Sequence, residues 1–116
     1  SLDITRLLAF HKAHGKLAQL TPGSSAKDIH RTLAQRYEGE RFIRVLPLSD
    51  PAALDAGGGF FDVMAANDSN RVDIFVFAND SQAMLIARLD NLGKGASGAA
   101  VQTMNLHLGV DEGLGL

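Results

Sequence analysis

Apolar residues recur every four positions between Ser25 and Gly39, which is the spacing of one helix face. Ser25 is suited to cap this helix, and Asp28 three positions later makes a weak version of the capping box. Gly39 is predicted to end the helix, because glycine tolerates the left-handed backbone that follows many helices. The apolar face consists of Ile29, Leu33 and Tyr37.

Four further segments have the length and composition of β-strands. Residues 42–46 are rich in β-forming side chains and stop at Pro47. The other three are apolar runs separated by short polar breaks, which predicts antiparallel hairpins joined in a meander. Because the later two runs are apolar on both faces, both faces of the sheet need a cover, and a partner subunit or a further domain could supply one. The three runs are residues 60–66, 72–78 and 83–89.

Helical spacing also occurs near both ends of the chain. Residues 2–14 place apolar side chains on one helical face, and Gly15 is a plausible stop. A second helix follows Lys94, and its first turns are thin because they are made of glycine and alanine. Its predicted buried stripe consists of Val101, Met104 and Leu108.

These elements predict one α+β domain over residues 1–116, with a mainly antiparallel sheet and helices packed on it. The chain is 46% apolar, which is enough for one core. A net charge of −2 and an isoelectric point near 6.0 argue against nucleic acid or an anionic membrane as a partner. No apolar run approaches the roughly 20 residues that span a bilayer, and no signal peptide is indicated.

The residue types that carry chemistry give few candidates. The chain contains no cysteine, so it can form no disulfide and offers no thiolate nucleophile, and no catalytic residue is predicted. His11 and His14 have the spacing of helical metal ligands, but no third ligand lies nearby, so no metal site is predicted. Arg41 and Arg44 flank an apolar strand and could hold a substrate carboxylate or phosphate, although a solvated strand edge is the stronger interpretation.

Three glycines near the end of the chain match the dinucleotide-binding pattern G-x-G-x-x-G. Gly93, Gly95 and Gly98 follow a strand-like run and open a helix-like one, which is the setting that lets a backbone approach a pyrophosphate. Only eighteen residues follow Gly98, however. The acidic ribose ligand alone belongs about 20 residues further on. A self-contained nucleotide site is therefore disfavoured.

The same segment carries a resemblance to a known family. Residues 90–106, DNLGKGASGAAVQTMNL, resemble the C-terminal signature of N-acetyl-gamma-glutamyl-phosphate reductases, and aspartate-semialdehyde dehydrogenases have a similar DNL-x-KGA segment. The resemblance covers roughly Leu17 to the C-terminus, whereas residues 1–16 do not look like the family. Its other parts are Leu20-Thr21-Pro22-Gly23, Ile29-His30, Arg41-Phe42-Ile43-Arg44-Val45-Leu46-Pro47 and Asp73-Ile74-Phe75-Val76-Phe77.

This resemblance implies a fold and a reaction. The chain would be the substrate and dimerisation domain of a cytoplasmic, NADP-dependent reductase of arginine biosynthesis, with the fold of the C-terminal domain of semialdehyde dehydrogenase and glyceraldehyde-3-phosphate dehydrogenase-like enzymes. A strand ending near Leu20 would replace the helix at residues 2–14. The family works through a cysteine that forms a thioester with the acyl substrate. Because this chain has none, it would be inactive without its missing nucleotide-binding domain, and it would form a homo-oligomer.

The resemblance also implies where the cofactor binds. By position in the motif, Asn91 would lie nearest the nicotinamide amide and Lys94 near the helix start. On the helix itself, Gly98, Gln102 and Asn105 share a smooth polar face, which suits a cofactor or another domain, or tight packing with solvated amides. The alternative function is a non-catalytic α+β module for binding or oligomerisation. The candidate cofactor-binding residues are Asn91, Lys94, Gly95 and Gly98.

Overall fold

The computed structural model describes residues 13–20, 22–54 and 60–116. It contains four strands and two α-helices within these ranges, with a short 3-10 turn at Pro51–Ala53 and a π-helical turn at Gly93–Ser97. No helix in these ranges is long and apolar enough to cross a bilayer. The elements are β1 (Ala13–Gln19), α1 (Ala26–Arg36), β2 (Ile43–Val45), β3 (Val72–Ala78), β4 (Gln82–Leu89) and α2 (Gly98–Leu108).

The four strands form one mixed sheet in the order β1-β4-β3-β2. β4 is antiparallel to both of its neighbours, and β2 runs parallel to β3. The α+β class is therefore confirmed, but the expectation of a mainly antiparallel sheet is wrong. A short turn forces β3 and β4 to be antiparallel, whereas the long connection at residues 46–71 allows β2 and β3 to point the same way.

The predicted helix after Ser25 is confirmed as α1, and its capping is as expected. The Ser25 hydroxyl accepts a hydrogen bond from the Asp28 amide at 3.1 Å and donates one to the Asp28 carboxylate at 2.7 Å. The helix ends at Arg36, three residues before Gly39, whose φ of 81° makes the left-handed turn that follows. α1 packs against β2 and β3.

The β3–β4 hairpin is also confirmed, with a tight turn that fixes its register. The Asn79 side chain accepts hydrogen bonds from the amides of Ser81 and Gln82, at 3.0 and 2.8 Å, so the turn is held by a side chain as well as by the backbone. In this register Asp73 lies opposite Arg88. Because partners across two strands share a sheet face, the two charged side chains lie side by side.

The core lies on one face of the hairpin, around Phe75, which is 1% exposed. Phe77 stacks on Phe75 at 6.2 Å between ring centroids, and Phe61 meets Phe75 edge-on at 5.3 Å. Ala53 and Ile86 complete the buried cluster. The connection between β2 and β3 thus supplies the cover that this apolar face requires.

The predicted strand at residues 60–66 is wrong. The segment consists of turns, and a single antiparallel bridge joins Leu54 to Phe61. The Asp62 carboxylate accepts a hydrogen bond from the Met64 amide at 2.9 Å and bends the chain there. Phe61 and Val63 pack on the core, so the apolar run is a loop that covers the sheet.

The first element of the described chain is a strand. Residues 1–12, and His11 with them, lie outside the described residues, but Ala13 and His14 belong to β1 and pair with Arg88 and Ala87 of β4. The last two residues of the helix predicted at residues 2–14 therefore belong to a strand, and the strand that the family resemblance implied near Leu20 is confirmed. Pairing with β4 outweighs the local helical spacing.

The predicted buried stripe of α2 is wrong. Met104 and Leu108 are 53% and 65% exposed, and Val101 is only half-buried. The buried residues are Gly98 and Asn105, which lie on the face that was expected to be smooth and polar. Further apolar side chains near α2 are exposed as well: Leu92, Leu106, Val110, Leu114 and Leu116.

Candidate functional site

A cavity of about 380 Å³ lies beside the glycine-rich turn. Three segments form its wall: the loop before β3, the π-helical turn with the start of α2, and the last residues of the chain. Both polar and apolar groups face it, so it suits a small ligand or an inserted side chain rather than a metal ion. Its lining includes Ser69, Asn70, Asp90, Gly93, Gly98 and Leu116.

Asp90 holds two of these segments together. It is 7% exposed, and its carboxylate accepts hydrogen bonds from the amides of Asp68 at 2.8 Å and Leu92 at 3.0 Å. Its backbone carbonyl accepts a third from the Gly95 amide at 2.9 Å. Asp90 is thus a structural residue, and it fixes where the turn begins relative to the loop at residues 68–70.

A polar network continues across the same wall. The side-chain oxygen of Gln102, Oε1, accepts hydrogen bonds from the side-chain amide of Asn70 at 3.0 Å and from the Lys94 ammonium. The Lys94 ammonium also lies 5.6 Å from the centroid of the Phe42 ring. Gln102 donates in turn to the Glu112 carboxylate at 2.9 Å. Lys94 is therefore engaged within the chain and fixes the shape of the turn.

The C-terminal residues are tied to the same helix face. Asn105 donates to the carbonyls of Glu112 and Leu114 at 3.1 and 2.8 Å. Arg41 donates to both carboxylate oxygens of Asp111, at 2.8 and 2.9 Å. These contacts bring the last residues back along α2 and against the cavity.

Two of the three motif glycines lie against backbone or buried atoms. A Cβ added at Gly98 would fall 2.4 Å from the Asn70 side-chain oxygen and 2.8 Å from the Gly93 carbonyl. One added at Gly93 would fall 3.0 Å from the Ser69 carbonyl oxygen. Gly95 is exposed, and the nearest atom to a Cβ added there would be the end of the Leu89 side chain at 3.1 Å. Gly98 is therefore the glycine on which the close approach of the turn, the loop and α2 depends.

The four cofactor-binding candidates lie in one turn but on different sides of it. Asn91 and Gly95 are exposed, Lys94 is half-buried, and Gly98 is buried beside the cavity. The amides of Gly95, Ser97 and Gly98 donate to the carbonyls five residues before them, so they are already used within the turn. A phosphate cradle built from these amides is thereby disfavoured.

A charged cluster also lies on the sheet, and Arg44 is its only member that was predicted as a candidate binding residue. Arg44 donates through Nε to Asp73 Oδ1 at 2.8 Å, and Arg71 does so at 3.2 Å. Arg88 donates to Asp73 Oδ2 at 3.0 Å, and its guanidinium lies 4.8 Å from the centroid of the Phe75 ring. Asp73 is fully buried. Arg41 takes no part, because it pairs with Asp111, so Arg41 and Arg44 do not form a common site.

The histidines do not form a site in the described part of the chain. His30 is half-buried, and its Nε2 lies 2.7 Å from the Leu46 carbonyl oxygen. His107 is exposed in the last turn of α2. Within the described ranges, no group of three or more histidine, aspartate or glutamate side chains could hold a metal ion.

The buried cluster predicts a loss of stability in acid. Burial raises the pKa of Asp73, but hydrogen bonds from Arg88 and Arg44 outweigh burial and leave the pKa below its usual 3.8. A carboxylate with a lowered folded-state pKa stabilises the fold above its unfolded pKa, and this contribution is lost as the pH falls through the folded value. Urea unfolding should therefore show a falling free energy of unfolding below about pH 4. The Asp111→Asn variant should show the same fall in the free energy of unfolding. A free energy of unfolding that does not change down to about pH 2 would contradict the prediction.

Comparisons with known proteins agree with the resemblance seen in the sequence. The chain is 54% identical over 94 residues to N-acetyl-gamma-glutamyl-phosphate reductase 2 of Nostoc sp. (strain PCC 7120), covering 79% of this chain and 29% of that protein. The N-acetyl-gamma-glutamyl-phosphate reductase of Trichormus variabilis is also 54% identical over 94 residues, with the same coverage. That of Burkholderia ambifaria is 44% identical over 97 residues, covering 82% of this chain and 30% of that protein.

These relatives are much longer than the chain, which spans 29–30% of their length. A family model extends the comparison. Residues 13–91, from the first residue of β1 to the first residue after Asp90, match the model described as semialdehyde dehydrogenase, dimerisation domain. The strands β1 to β4 and α1 all lie inside the matched range. The chain therefore belongs to the semialdehyde dehydrogenase dimerisation-domain family.

Proposed function

We propose that this chain is the substrate and dimerisation domain of an NADP-dependent N-acetyl-gamma-glutamyl-phosphate reductase. The observation that carries the proposal is the family match at residues 13–91, together with relatives that bear this enzyme's name. The glycine-rich segment at residues 93–98 supports it, because it folds into one closely packed turn beside a cavity. We infer that residues 1–116 belong to one domain of a cytoplasmic enzyme of arginine biosynthesis.

The reaction would need groups from outside this chain. N-acetyl-glutamyl phosphate is an acyl phosphate, and a cysteine from the nucleotide-binding domain would attack its carbonyl carbon, form a thioester and release phosphate. NADPH would supply the hydride that converts this thioester to the semialdehyde, and the cysteine thiolate would be the leaving group. The 116 residues contain no cysteine, so this chain contributes binding and positioning.

The exposed side of the glycine-rich turn is where this chain would meet the cofactor. Asn91 is exposed, and its amide can both donate and accept hydrogen bonds, which matches the carboxamide of nicotinamide. Gly95 beside it is also exposed and leaves room for a planar ring. Lys94 and Gly98 would act indirectly, because Gln102 engages Lys94 and the Asn70 loop covers Gly98.

The exposed apolar residues around α2 support a neighbouring domain. Met104 and Leu108 lie on one side of the helix, and Leu106, which is 60% exposed, lies on another. A helix that is apolar on several sides is normally buried in a larger protein. We infer that the nucleotide-binding domain covers α2, and that the enzyme is a homo-oligomer, as the family description indicates.

Replacing Asn91 tests the assignment of the cofactor-facing side. In the chain joined to its nucleotide-binding domain, Asn91→Ala should raise the Kd for NADP or lower turnover by about tenfold, the usual effect of losing one well-placed hydrogen bond. Calorimetry and steady-state kinetics would measure the two effects. Gln35→Ala is the matched control, because it removes a side-chain amide that is exposed on α1, outside the turn and outside α2. Equal effects of the two substitutions would contradict the assignment.

A further inference from the structure

We propose that Arg44 and Arg71 bind an oxyanion, a carboxylate or phosphate group, at the outer edge of the sheet. Three guanidinium groups converge on a single carboxylate, that of Asp73. The cluster therefore has an excess of positive charge. This site is separate from the glycine-rich turn, and the proposal does not depend on the proposed function.

The register of the sheet creates this cluster. Arg44, Asp73 and Arg88 are direct partners across β2, β3 and β4, so their side chains form one row on one face. Arg88 is 4% exposed and also donates to the Asp62 carbonyl at 2.8 Å. The Asp73 carboxylate is thus needed to neutralise the buried Arg88, and it has no further charge to offset the guanidinium groups of Arg44 and Arg71.

Arg44 and Arg71 are the members that solvent can reach. Their side chains are 53% and 31% exposed, and both donate to the same oxygen, Asp73 Oδ1. Two like charges held beside one oxygen repel each other, and a second anion between them relieves that repulsion. Each guanidinium has five N–H donors in a planar fork, so donors remain for a bidentate oxyanion. Within the described residues, no second carboxylate pairs with Arg44, Arg71 or Arg88.

Thermal unfolding with inorganic phosphate tests the site directly. At fixed ionic strength, replacing chloride by phosphate at several times its Kd should raise the Tm of the full chain by roughly 4–8 °C. Arg44→Gln and Arg71→Gln should each lose most of this shift. Arg36→Gln removes the same charge from the exposed end of α1, and this variant should keep the rise in Tm with phosphate. Arg44→Gln is expected to fold, because Arg88 and Arg71 still neutralise Asp73.

Sedimentation of the same variants identifies the source of the oxyanion. A phosphate shift that Arg44→Gln abolishes supports a small-molecule anion. An acidic side chain of a second copy is the source if phosphate has no effect but Arg44→Gln weakens self-association about tenfold relative to Arg36→Gln. If phosphate stabilises all four proteins equally, or if none of them responds in either experiment, the proposal is overturned.

Discussion

Replacing Asp73 by asparagine should bring the domain close to unfolding. The substitution keeps the size of the side chain but leaves Arg88, which is 4% exposed, without a countercharge. Removing one partner of a buried ion pair costs about 3–5 kcal/mol, because the other charge stays buried and uncompensated. The whole free energy of unfolding of a small domain is only about 5–15 kcal/mol. Urea unfolding at neutral pH would measure the loss.

A surface ion pair of the same chemistry provides the control. Arg41 Nη1 donates to both carboxylate oxygens of Asp111, at 2.8 and 2.9 Å, but both side chains are more than half exposed. Asp111→Asn should therefore change the free energy of unfolding very little, since water replaces the lost contact. If Asp73→Asn and Asp111→Asn were equally stable, the buried cluster would not have the structural role assigned to it.

Gly98→Ala is expected to have the second largest effect. The new Cβ would fall 2.4 Å from the Asn70 oxygen and 2.8 Å from the Gly93 carbonyl carbon, so the backbone of the turn must move. Overpacking of this kind typically costs about 1–3 kcal/mol. The better helix propensity of alanine offsets up to about 1 kcal/mol of it. Because the Cβ would meet backbone atoms of Gly93, the overpacking cost lies at the upper end of its range, and we expect a net loss of about 1–2 kcal/mol in urea unfolding.

Gly95→Ala separates crowding from a general effect of removing glycine. Its Cβ would meet the end of the Leu89 side chain at 3.1 Å, and a flexible side chain can give way. Gly95→Ala should therefore be nearly neutral. If the two substitutions lowered the free energy of unfolding equally, the close contact of Gly98 with Asn70 and Gly93 would not be the reason that alanine is unfavourable at this position.

The sequence predicted those elements whose signals are local. α1 has a cap at Ser25 and one apolar face, and the β3–β4 hairpin has a side-chain-stabilised turn at Asn79. By contrast, residues 60–66 have the composition of a strand but form a covering loop, because Phe61 and Val63 pack on the core and the Asp62 carboxylate bends the chain there. Tertiary pairing likewise decides the strand at Ala13–Gln19. Neither outcome can be read from spacing alone.

The site was predictable in part. The family resemblance pointed to the glycine-rich turn, but not to Asn70 or Asp68, which look like ordinary polar loop residues between two apolar runs. The Asp73–Arg88 pair could have been predicted from the sequence. Each is a lone charge in an apolar strand, and both lie equally far from the turn at residues 79–82, so a tight hairpin must place them opposite each other.

The most direct test of the proposed function is NADPH-dependent reduction of N-acetyl-glutamyl phosphate, measured for the chain alone and for the chain joined to a cysteine-bearing nucleotide-binding domain. The chain alone should give no turnover, because thioester formation needs a thiolate and these 116 residues contain no cysteine. The joined protein should turn over, whereas a non-catalytic module would not respond to the added domain. Turnover by the chain alone that survives repurification, or none from a folded joined protein, would contradict the proposal.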